Sequence, residues 1–292
     1  MAGAGGSEWT ARGCLQWRGC SQPGRPQCAE AGVWPCRGAA HLGALRALAP
    51  WGLEPAAVVG ASAGGLVAGA LASDVPLEDM IALAREVCRH PFRSGLAQVA
   101  HALAAALPVP APGLLTLAPM ITHLLERCRR SARTVVGWRE NWAVLVTELA
   151  SASVRVFDRT TALVPAPGQA PVAMDAAEAL QATSAFPGLL AGVHWGGELF
   201  ADGGILDDVP ADACFRCGVE RVLAIEVADH AGALPPSLTL PDMLQRAMAM
   251  VGALSASAIA AQPGPVFTLR PVLPPGAGLL SFGLFEQVLQ AG

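Results

Sequence analysis

Two short stretches of this 292-residue chain carry residue types able to do acyl-transfer chemistry. Gly60-Ala61-Ser62-Ala63-Gly64 has the G-x-S-x-G spacing of a nucleophile elbow, with a serine at the apex of a tight strand-to-helix turn. Small residues must flank such a serine, because strand and helix nearly touch there and the serine takes a strained backbone. The helix that follows points its first N–H groups at the turn and favours negative charge developing there. The second stretch is Asp202-Gly203-Gly204, an acid delivered by a strand end into a loop that two glycines allow to turn sharply. A serine nucleophile needs a base and an oxyanion site. A carboxylate has a reference pKa of ~3.9, so it acts as that base only in an apolar setting or through a short charge-assisted bond.

Histidine is the commoner base. Ser62, Asp202 and His230 run in the Ser–Asp–His order of an α/β-hydrolase triad, which leaves a triad esterase as an alternative. His230, however, follows a strand in a sequence without the marks of a catalytic loop. His41 falls in the first helix and His194 in a turn before Trp195, and structural or surface roles are expected for all three. Cys214-Phe215-Arg216-Cys217 is a C-x-x-C, but it lies inside a helical pattern and lacks a second pair at zinc spacing, so neither a metal nor a redox role is expected.

Alternating elements must position these residues. Arg37 to Leu48 has helical apolar spacing and ends near Pro50 and Gly52, and Glu54 to Gly60 is a short strand into the elbow. Leu66 to Ala72 continues the elbow helix, and Leu77 to Arg89 is an amphipathic helix. Ser94 to Leu107 and Leu114 to Cys128 read as two helices about a proline-rich corner. That apolar region is read as packed core, with a lid, an acyl-chain channel or a bilayer contact as alternatives. Strands are expected at Trp142–Leu149, Val154–Phe157, Glu198–Ala201, Arg221–Val227 and Pro265–Leu269. Helices are expected at Met174–Ala182, Pro210–Cys217, Leu240–Ala261 and Phe282–Gln290. Strands alternating with helices imply an α/β fold with a largely parallel sheet.

Composition excludes several classes. Apolar residues make up 53% and charged residues 14%, which excludes a disordered chain. A net charge of −4 supplies no basic footprint, so no nucleic-acid partner is expected. No basic start with an apolar run opens the chain, and prolines and glycines break the long uncharged runs. A cytoplasmic protein, with peripheral membrane contact at most, is the expectation.

Together the two motifs are more specific than either alone. From Arg37 onward the chain resembles the patatin-like phospholipases. Arg37-Gly38-Ala39-Ala40-His41-Leu42-Gly43-Ala44-Leu45, the elbow with its helix, Ala182-Thr183-Ser184-Ala185-Phe186-Pro187-Gly188, and Asp202 to Pro210 match the family's blocks in order. The closing Leu279–Gly292 is similar too. The resemblance implies a three-layer α/β domain over residues 37–292, with a central, mainly parallel sheet between helices. It implies a lipid acyl hydrolase of phospholipase A or lysophospholipase type, with Ser62 as nucleophile, Asp202 as base and no histidine. No cofactor and no metal are implied, and the substrate would be a phospholipid or another acyl ester.

One block departs from the family. The glycine run that precedes Arg37-Gly38 in the family, and whose amides would hold the oxyanion, is Val33-Trp34-Pro35-Cys36 here. Pro35 has no N–H to donate. Arg37 and Gly38 remain as the remnant of the oxyanion loop, and an impaired enzyme or a lipid-binding regulatory relative is the alternative reading. Residues 1–36, rich in Trp and Cys and without clear helix or strand, are read as an atypical segment, disordered or mistranslated. Shifting the reading frame by two bases turns Val33–Cys36 into an aliphatic-Ala-aliphatic-(Ser/Pro) run followed by a codon compatible with glycine. Genomic sequencing tests this, since an intact frame shared with close relatives would exclude it.

Overall fold

The structure, a computed structural model, describes residues 28–31, 35–53, 55–89, 113–131, 142–158, 176–227, 243–244, 246–251, 262–278 and 281–292. Eight strands form one sheet: β1 (Cys28–Ala31), β2 (Ala57–Ala61), β3 (Trp142–Glu148), β4 (Ser153–Asp158), β5 (Val193–Trp195), β6 (Glu198–Asp202), β7 (Val222–Ile225) and β8 (Val266–Leu269). Their order is β5-β6-β3-β2-β1-β7-β8, with β4 also paired to β3. The pairs β3-β2, β2-β1, β1-β7 and β7-β8 are parallel; β3 pairs antiparallel with β4 and β6, and β5 with β6.

The helices are α1 (Pro35–Leu48), α2 (Ala63–Ala72), α3 (Leu77–Arg89), α4 (Ala118–Ser131), α5 (Ala176–Thr183), α6 (Ala211–Arg216) and α7 (Phe285–Ala291). Residues 246–251 are helical as well. The sequence dictates several ends. Gly52 closes the turn after α1 at φ 59°, a left-handed backbone that suits glycine. Glu78 and Asp79 occupy the first turn of α3 and Arg89 its last, each complementing the helix dipole.

Strand alternation splits the core into layers. Val58, Trp142, Val144 and Val146 face the cluster that includes Phe157, Leu180, Phe186 and Phe200 beneath α2, α4 and α5. Ala57, Val59, Ala61, Ala143 and Leu145 face the opposite side, against Ala213 and Cys214 of α6. A third cluster joins α1, α2, α3 and α7 through Leu42, Val67, Met80, Ile81, Phe285 and Val288. Helices therefore cover both faces of the sheet, giving the three-layer α/β architecture expected.

Two elements differ from the sequence reading. No element was expected before Arg37, yet β1 lies inside the sheet between β2 and β7, and α1 starts at Pro35. Proline at the first helical position fits, because its missing N–H has no partner within the helix anyway. His194, expected in a turn, stands exposed on β5, paired with Leu199. His230, the Ser94–Leu107 helix and most of the expected Leu240–Ala261 helix lie outside the described residues.

Candidate active site

The sheet register places the two motifs together. One edge of β3 pairs with β4 from Ala143 to Glu148. The other edge is shared: Val58–Ala61 of β2 pair with Trp142–Leu145, and Asp202–Phe200 of β6 pair with Val146–Glu148. Ala61 therefore ends opposite Leu145 and Asp202 ends opposite the adjacent Val146. Two strands arriving from opposite directions stop head to head on one template, and the residue after Ala61 is Ser62.

Ser62 has φ 55° and ψ −129°, a region an L-residue seldom enters. The surroundings hold it there. Its amide donates to both the carbonyl and Oγ1 of Thr183, each at 3.0 Å. Its carbonyl accepts from Ser184 Oγ at 3.2 Å. Thr183 Oγ1 also donates to the carbonyl of Leu145, so the elbow is tied to the same point on β3. The flanking glycines are required by close approach. A Cβ on Gly60 would collide with the carbonyl of Gly64, and one on Gly203 with the carbonyl of Leu145.

Ser62 Oγ donates a 2.8 Å hydrogen bond to Asp202 Oδ2. The other carboxylate oxygen, Oδ1, accepts from the amide of Gly204 at 2.9 Å. The backbone of Asp202 is fixed on both sides: its amide donates to the carbonyl of Ala185, and its carbonyl accepts from Thr147 Oγ1 at 2.9 Å. Serine and aspartate are 0% and 1% exposed. In so apolar a setting a carboxylate facing a hydroxyl interacts more strongly than it would in water.

Two helix starts meet next to Ser62. Ala63 is the first residue of α2, and a helix's first N–H groups have no partner within the helix. The first turn of α1 abuts it, since a Cβ on Gly38 would lie 3.1 Å from Ala63 Cβ. The Arg37 side chain has another task. Its Nε donates to the carbonyl of Ala277 at 2.8 Å and its Nη1 to that of Val227, clamping α1 to two later loops. Val33 and Trp34 lie outside the described residues.

His41 is fully buried in α1, where desolvation lowers its pKa to about 4 despite hydrogen bonds with the backbones of Ile225 and Gly38. It is a neutral core group at ordinary pH. In the C-x-x-C, Cys214 is disulfide-bonded and Cys217 keeps its thiol, so the two are not joined to each other. Among the described residues no group of three His, Cys, Asp or Glu is placed to hold a metal ion.

Sequence reasoning missed one feature. A groove of about 610 Å³, a volume that includes space open to solvent, lies between α1, α2, α3 and α4, with Gly38 and Ala63 in its wall. Its lining side chains are all apolar. From the apolar stretch read as core or channel, Met120 and Leu124 of α4 supply part of the wall, joined by residues of α2 and α3.

The sequence profile of the family described as patatin-like phospholipase matches residues 35–215. The chain belongs to the patatin-like phospholipase family. The matched span of this patatin-like domain contains the elbow, the Thr183–Ala185 segment and the Asp202 loop. VipD from Legionella pneumophila is a similar solved structure, at 15% identity and a TM-score of 0.42 over 92% of this chain and 67% of that one. No curated protein matches the sequence significantly. Among the described residues of the patatin-like domain, no helix is long and apolar enough to cross a membrane.

Proposed function

We propose that this patatin-like protein is a lipid acyl hydrolase working through a Ser62–Asp202 dyad, in a domain that takes in the expected 37–292 span and also strand β1 (Cys28–Ala31) of the same sheet. The observation that carries the reading is the 2.8 Å bond from Ser62 Oγ to Asp202 Oδ2 at the apex of a strained elbow. Ser62 Oγ attacks the ester carbonyl as Asp202 accepts its proton. The tetrahedral oxyanion collects hydrogen bonds from the Ala63 amide and the first turn of α1, where Gly38 stands. The leaving alcohol takes the proton back from Asp202, leaving an acyl-serine. Asp202 then draws a proton from water, whose oxygen attacks the acyl carbon, and returns that proton to Ser62 Oγ as the carboxylic acid leaves. The Gly204 amide on Oδ1 keeps Oδ2 aimed at the serine throughout.

Both dyad residues are buried, so the substrate's acyl end must enter the protein while its polar end stays outside. An apolar groove with Ala63, the residue after Ser62, in its wall supports an aliphatic acyl group, from a phospholipid or another acyl ester, met at a membrane surface. The enzyme needs no metal, because proton transfer and charge stabilisation are both supplied by the chain.

Hydrolysis of p-nitrophenyl butyrate by wild type, Ser62→Ala, Asp202→Asn and His230→Ala tests the proposal. The first two variants should lose at least about 10³-fold in kcat, and His230→Ala should stay within a few-fold of wild type. A fluorophosphonate probe should label wild type and not Ser62→Ala. Turnover surviving Ser62→Ala overturns the proposal, and loss in His230→Ala replaces the dyad with a triad. A folded wild type that binds lipid without turnover makes the protein a regulatory relative. The Val33-Trp34-Pro35-Cys36 replacement favours that second reading.

A further inference from the structure

We propose that the groove beside Ser62 is an acyl-chain ruler that selects chains of medium length, with Ala70 and Met80 setting the limit. This rests on the reading of Ser62 as the nucleophile. The groove follows α2. Its α2 wall is Ala63, Leu66, Val67 and Ala70, one face of the helix over two turns. Ala63 adjoins the serine and marks the reacting end. Ala70 stands seven residues on, about 10 Å along the axis, the span of roughly eight extended methylenes.

The chain then reverses. Ser73–Pro76 connects α2 to α3, and the Val75 amide donates to the carbonyl of Ala70 at 3.2 Å. The start of α3 is thereby fixed against the end of α2, and Met80, on that first turn and buried, lines the groove together with Ala70. Protein interiors leave few voids larger than a water molecule, and polar cavities fill with water. A groove without one polar lining side chain offers water few partners and an aliphatic tail many. Its head group must remain at the Ser62 end, because nothing deeper along the wall solvates charge.

The ruler is tested with p-nitrophenyl esters of two, eight, twelve and sixteen carbons. Wild type should favour the eight-carbon ester in kcat/KM over both the two- and the sixteen-carbon esters. Ala70→Leu fills the space of two to three methylenes, each worth about fourfold, so the eight-to-two ratio should fall at least tenfold. Met80→Ala lengthens the groove and should raise the twelve-to-eight ratio about tenfold. Ala84→Leu, on the half-buried α3 wall, narrows the same groove and replaces Ala70→Leu if circular dichroism shows that variant unfolded. Unchanged ratios in folded variants overturn the ruler. Turnover that survives Ser62→Ala overturns the nucleophile reading instead. The groove is then judged by calorimetry with octanoate alone: binding weakened by Ala70→Leu supports it, and binding absent or unaffected overturns it.

Discussion

Ser62 and Asp202 are 140 residues apart in sequence and share a 2.8 Å hydrogen bond because both sit at strand ends on one edge of β3. The pairing of Ala61 with Leu145 and of Asp202 with Val146 sets their spacing before any side-chain contact is made. A slip of one residue in either strand would turn the side chain to the opposite face of the sheet. The serine–aspartate geometry is thus a property of sheet register, and the side-chain bond completes it.

Thr183 holds the serine amide with two acceptors and reaches Leu145 as well. Thr183→Val leaves the carbonyl and removes the hydroxyl. Stability should fall by about 1–3 kcal/mol in urea titration, and kcat by roughly tenfold with little change in KM. Thr183→Ser restores the hydroxyl and should recover most of both.

Gly60 has no space for a methyl group, since a Cβ there meets the backbone of Gly64 and Gly65. Gly60→Ala should lower stability by about 3 kcal/mol, because backbone rather than a movable side chain must shift. Chemical denaturation measures it. An unaltered midpoint would mean that strand and helix are further apart than the structure has them.

Buried His41 and half-buried Asp207 give the stability opposite pH dependences. His41 has its folded pKa lowered by burial to about 4, below the unfolded value of about 6.5. The unfolded chain therefore binds the proton first, and stability is lost as pH falls from about 6.5 to 4, by about 3 kcal/mol. Asp207 has its folded pKa raised to about 6, chiefly by burial, against a Val209 backbone hydrogen bond and with the Asp212 charge adding to the rise. Its contribution is present at low pH and is lost as pH rises from about 4 to 6. Asp207→Asn should therefore raise stability at pH 8 relative to wild type and leave it nearly unchanged at pH 3.5. His41→Gln should flatten the acid limb. Urea midpoints between pH 3.5 and 8 check both signs.

Arg37 ties α1 to the carbonyls of Ala277 and Val227. Arg37→Ala leaves two buried acceptors short of a donor and should cost about 2–3 kcal/mol. Arg37→Lys should recover only part of this, since one ammonium replaces a planar fork. Thermal melts of the two variants give the comparison.

The departure before Arg37 makes a kinetic prediction. Replacing Val33 and Trp34 with glycine should raise kcat on p-nitrophenyl butyrate by at least about tenfold, since one oxyanion donor is typically worth ~10²–10³ in rate. KM should change little, because the donors act on charge that exists only in the transition state.

The elbow, the acid loop and the amphipathic α3 were legible in the sequence because each is a local pattern. Glycines mark the turns, and apolar spacing marks the helix face. β1 was not legible. Cys-Ala-Glu-Ala has no β-branched residue and no clean alternation, and it becomes a strand by pairing with β2 and β7 on either side. β5 is three residues long, too short for any period to show. The groove was illegible for another reason. Ala63, Leu66, Val67 and Ala70 make a stripe that any helix facing a core would carry, and only the spacing of four helices decides whether that stripe is packed or left open.

By itself the sequence determined an α/β chain with a serine on a tight turn and an acid after a strand, because local sterics and hydrophobic period act within a few residues. Only the tertiary structure decided that Ser62 meets Asp202, that His41 is a neutral core group, and that Arg37 clamps loops with its side chain. Those outcomes depend on which strands share an edge and on how deeply each group is taken from water. Both are fixed by contacts between residues far apart in the chain, which no local pattern encodes.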